Sequence, residues 1–143
     1  MLLALLGIAT AGTGTELVLL EHYEDPWQWT PLVLLAVGLL VTAAVLVRPR
    51  ARVLRVFQGV MLLFVAAGLL GLYLHYDGNV EFELEMVPEL AGFELFWKSV
   101  RGATPALAPG TMIQLGLLGL IAIWRHPLLR TRMLLHNPEK EEG

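Results

Sequence analysis

Few side chains in this sequence can do chemistry, and each occupies a particular place in an apolar chain. Glu16 is the lone charge in an apolar run, and His22 and His75 stand at the ends of two such runs. Carboxylates accompany both histidines: Glu21 and Glu24 beside His22, Asp77 and Glu81 beside His75. Imidazole with carboxylate suits zinc, copper, manganese or iron. His22, His75, Glu21, Asp77 and Glu81 therefore form a candidate divalent-metal set. Their spacing matches no H-E-x-x-H or E-x-x-H pattern. Two histidines at one level of a helical bundle also suit haem, a less favoured reading because the pair is isolated. Asp77-x-Asn79-x-Glu81 has the alternating oxygens that open a calcium loop, but Phe82 stands where the loop needs glycine.

Glu16 poses a different problem. A carboxylate at the centre of a bilayer costs about 3 kcal/mol, and less towards the interface. It is expected to face the bundle interior with a partner, either Thr13 or His75, with Gln114 near the same level. One reading makes it a neutral, hydrogen-bonded packing group; the other makes it a proton or cation site. Gln58, near a basic segment, is expected to reach towards the interface.

Other chemistries find no support. The chain has no cysteine, which removes disulfides, thiolate ligands and cysteine nucleophiles. No phosphate-binding glycine loop, serine triad or dinucleotide fingerprint is present. Gly12-x-Gly14 lies inside an apolar run with no strand before it. Enzyme activity is the less favoured reading.

The elements that must position these groups are helices in a membrane. The 143 residues are 56% hydrophobic and only 16% charged, with a mean hydropathy of +0.64, against roughly a quarter charged in soluble domains. A bilayer core about 30 Å thick needs about 20 apolar residues in a helix. Four blocks qualify, at about 1–21, 31–47, 53–76 and 106–124. The first lacks the basic start of a signal peptide and is expected to stay as a helix. The expected fold is a single all-α integral membrane domain, a four-transmembrane-helix bundle.

Charge sets the expected orientation. Arg48, Arg50, Arg52 and Arg55 flank the short connection between the second and third blocks, and Arg125, Arg130, Arg132 and Lys140 follow the fourth. The other two connections hold only Lys98 and Arg101. The positive-inside rule then places both termini and the tail 127–143 in the cytoplasm. The expected location is a prokaryotic inner membrane. The basic residues belong to the membrane surface, so nucleic acid is not an expected partner.

The outer loop 77–105 has a pattern of its own. Val80–Met86 alternates strictly between apolar residues and glutamate, which reads as a short strand. Pro88–Arg101 reads as an interfacial amphipathic helix with Pro88 in its first turn. Phe93, Phe96, Trp97 and Val100 share one face, and Glu94 and Lys98 are spaced for an ion pair. Small residues give each membrane helix a thin face for close packing: Gly7, Ala11 and Thr15; Gly38 and Thr42; Gly68 and Gly71; Gly116 and Gly119. The leading functional expectation is a non-catalytic accessory subunit. Its partners would be the lipid bilayer and other membrane subunits or copies of itself, met through Phe82, Leu84, Phe93 and Trp97. An outer-face site for a divalent metal or haem comes second, and proton or ion movement through Glu16 third.

Overall fold

The computed structural model describes residues 1–102 and 107–129, and the described part is helical. Five α-helices follow one another: α1 (Leu2–Leu19), α2 (Trp29–Val47), α3 (Ala51–Met86), α4 (Gly92–Val100) and α5 (Gly110–Ile123). A 3-10 turn, Pro26–Gln28, introduces α2, and its Gln28 side chain accepts from the backbone N–H groups of Glu24 and Asp25.

Three helices, α1, α2 and α3, are long and apolar enough to cross a membrane. The expected fourth span is shorter than its apolar block. α5 has 14 residues, about 21 Å at 1.5 Å per residue. Leu107–Pro109 form a turn because proline disfavours helix at the residue before it. Residue 106 and the tail beyond Leu129 lie outside the described residues.

α1, α2, α3 and α5 form a ring. α1 packs on α2 and α5, and α3 packs on α2 and α5, so α1 and α3 face each other diagonally. α3 and α5 make the closest interface and run antiparallel. A Cβ on Gly68 would lie 2.9 Å from the Pro109 carbonyl oxygen, and one on Gly116 would lie 2.6 Å from the Met61 carbonyl oxygen. The glycines expected to form thin faces on these helices therefore meet the same interface. Leu6, Leu35, Phe57, Met61, Phe64 and Ile123 fill the centre, fully buried. The buried hydroxyls of Thr10 and Thr42 each donate to a carbonyl four residues back, at 2.7 Å. This satisfies them without water, as a lipid-surrounded bundle requires. Ile8, Leu40, Leu63 and Leu69 are exposed on the outside, and soluble proteins rarely present so wide an apolar surface.

The structure corrects the strand over Val80–Met86. Those residues continue α3, which runs for 36 residues, about 54 Å. A lone strand has no partner for its backbone groups, whereas a helix already propagating from the bundle gains a hydrogen bond with each added residue. The alternation also fits a helix. Gly68, Leu72, His75, Tyr76, Asn79, Val80, Glu83 and Leu84, all buried or half-buried, continue one stripe at spacings of three and four.

Pro88 is also corrected. It follows the end of α3 and does not open the next helix. Val87, just before it, is forced out of helical geometry at φ −142°, ψ 89°. α4 starts later, at Gly92, whose φ of +60° is strained for any residue with a Cβ. The expected Glu94–Lys98 ion pair is present at 3.3 Å.

Candidate functional site

The end of the bundle opposite the arginines gathers most of the polar chemistry. Two structural devices build it. The first is the stop of α1. The His22 N–H donates to the Leu17 carbonyl and the Glu21 N–H to the Val18 carbonyl, the paired bonds of a Schellman motif. Glu21 occupies the left-handed position at φ 53°, where glycine is usual. The motif reverses the chain and brings His22 across the diagonal of the ring. Its imidazole lies 6.4 Å, centroid to centroid, from that of His75 on α3. Both rings are half-buried. Burial, and then the neighbouring His75, push His22 below the usual histidine value, favouring the neutral imidazole.

The second device ties α4 to the part of α3 that projects past the bundle. The buried Asn79 Nδ2 donates to the Ser99 backbone carbonyl at 2.9 Å. The Ser99 hydroxyl donates within its own helix to the Leu95 carbonyl. Tyr76 and Phe96 rings meet at 6.0 Å, and Gly102 approaches Asn79 so closely that a Cβ there would lie 2.6 Å from its Cγ. α3 and α4 together form a tip whose surface carries Phe82, Met86, Phe93 and Trp97, all exposed. Phe93 stacks on Trp97 at 6.3 Å, and Arg101 covers Trp97 at 5.8 Å from its ring centroid. Asp77, Glu81, Glu85, Glu89 and Glu94 are also exposed, on the same two helices and their connection.

The expected site residues are thus partly assembled. His22 and His75 converge. Glu21, Asp77 and Glu81 are exposed, and no group of three or more metal-ligating side chains forms among the described residues. The calcium-loop reading of Asp77–Glu81 falls on a helix, with Asn79 committed to Ser99. Glu16 lies exposed on α1 and Gln114 exposed on α5, so the interior Glu16–His75–Gln114 level is not formed. Leu84 is half-buried against the inner stripe, unlike Phe82, Phe93 and Trp97. Asn79 is the residue that sequence reasoning missed. As a polar residue in phase with the buried stripe of α3, it signals a specific buried contact. No family model matches the chain, and no curated protein or solved structure matches it significantly.

Proposed function

We propose that this protein is a small membrane-embedded accessory subunit that binds another protein through the α3–α4 tip. The single observation that carries the reading is the construction of that tip. A buried side-chain-to-backbone bond holds α4 in place, and the module displays exposed aromatic and aliphatic side chains together with exposed carboxylates. Rigid aromatic anchors with a polar rim are the composition of interface hot spots. The charge balance of the tip favours a partner face with apolar pockets and basic residues.

The charge distribution supports a multi-pass protein of a prokaryotic inner membrane, with the tip outside and the α2–α3 connection inside. α5 completes the bundle beside the three long helices.

Replacing Phe82 and Phe93 together by aspartate tests the reading. Mildly solubilised membranes should give a discrete complex larger than the single chain on a native gel, and the double variant should run as the single chain. Equal mobility of the two would contradict a tip interface.

A further inference from the structure

We propose that a second copy of this chain docks against the seam between α1 and α5, through Glu16 and Gln114. The proposal is independent of the tip interface, because the seam lies on the flank of the bundle and the tip projects beyond it.

Position is the first support. Successive helix residues turn by about 100°, so residues two apart point to nearly opposite sides. Gly14 faces α2, where an added Cβ would meet Leu35, and Gly116 faces α3, where one would meet the Met61 carbonyl oxygen. Glu16 lies two positions from Gly14, and Gln114 two positions from Gly116. Glu16 is thus on the side of α1 turned from α2, and Gln114 on the side of α5 turned from α3. α1 and α5 are themselves neighbours, so both residues flank their seam, and both are exposed. Their depth matches as well. Glu16 stands three residues before the end of α1 and Gln114 four after the start of α5, each within about 6 Å of the same end of the bundle.

The second support is chemical. Ionisable and amide side chains within membrane helices normally pair across helices or face the bundle interior. These two face outward, and neither side chain has a hydrogen-bond partner among the described residues. One is an acceptor, and the other carries an amide that donates. The face is therefore self-complementary, which is the reason to name a second copy as its occupant. A two-fold axis along the membrane normal keeps every residue at its own depth and sets Glu16 of each protomer against Gln114 of the other. The carboxylate then accepts from the amide N–H at both ends of the contact.

The third support is room. α1 is the least buried of the three long helices. Gly12, one turn from Glu16 on the same exposed face, has nothing within 4 Å of an added Cβ. A partner helix can therefore approach closely enough for the short glutamate side chain to reach it.

Association follows protomer concentration, and detergent dilutes copies held by two small polar contacts, so the test is made in intact membranes. Single cysteines are placed in the full chain, which has none of its own, and are oxidised there. Leu5→Cys and Gly12→Cys, on the Glu16 face, should give a covalent dimer. Leu63→Cys, on the exposed side of α3, should give several-fold less. Added to Gly12→Cys, Glu16→Leu and Gln114→Leu should each lower the dimer several-fold. Glu16→Gln should retain it, since an amide oxygen also accepts. Both positions are exposed, and unchanged helical circular dichroism would show that the variants are folded. Phe82→Asp with Phe93→Asp should leave the dimer intact, which separates this contact from the tip. A dimer no stronger than that of Leu63→Cys, or one indifferent to Glu16→Leu and Gln114→Leu, would overturn the proposal.

Discussion

Gly116→Ala is expected to be the most damaging single-methyl change in the bundle. The added Cβ would lie 2.6 Å from the Met61 carbonyl oxygen and 2.8 Å from a Val65 methyl. A carbonyl held in a helix cannot move aside alone, so α3 and α5 must separate along their shared face. Overpacking of this kind costs about 1–3 kcal/mol and sometimes more. Gly116→Val should be worse. Gly59, on the same helix as Met61, has nothing within 4 Å of an added Cβ. Gly59→Ala should instead stabilise by about 0.5–1 kcal/mol, the usual gain in a helix interior. Thermal unfolding in one detergent would compare them. Equal, neutral effects would mean that α3 and α5 do not pack as described.

The second large effect falls on the tip. Asn79→Leu keeps the branched shape of the buried side chain, at a somewhat larger volume, and removes its donor. Losing a buried hydrogen bond in this way costs about 1–3 kcal/mol. A helix of nine residues cannot persist unsupported, so α4 should come away while the bundle below stays intact. Hydrogen exchange should show α4 amides losing protection and α5 amides keeping it. Ser99→Ala should be far milder, because the tie runs through the Ser99 carbonyl. Equal protection of α4 in the Asn79 variant and the parent would remove the basis for a built tip.

Much of the bundle was legible because its signals are strong and local. Gly68, Gly71, Gly116 and Gly119 mark the closest helix contact, since lipid offers no hydrophobic drive and only small side chains allow such an approach. The spacing of Glu94 and Lys98 is enough to predict their pair. The meeting of His22 with His75 was open to inference from their matching positions at helix ends.

What escaped has physical causes. The alternating stretch Val80–Met86 fits period two and period 3.6 alike over seven residues, and only its continuity with the stripe from Gly68 onward separates the two. Glu16 misled because α1 is apolar on nearly every side, with only Leu6 and Thr10 fully buried, so its sequence does not mark an inner face. Its place one turn from the end of α1 reduces the cost of an exposed carboxylate, which can extend towards the interface. Asn79 escaped because its partner is a backbone carbonyl twenty positions away, and a carbonyl leaves no mark in a sequence.

The proposed function puts the acidic tip outside the membrane and the arginine connection within the cell. Single cysteines are the direct probe, since the natural chain has none. Substituted for Asp25 or Glu83, cysteine should react with a membrane-impermeant maleimide in intact cells. At Arg50 it should react only after the membrane is opened. Labelling at Arg50 in intact cells, with Asp25 and Glu83 protected, would contradict the orientation and the outward-facing interface built on it.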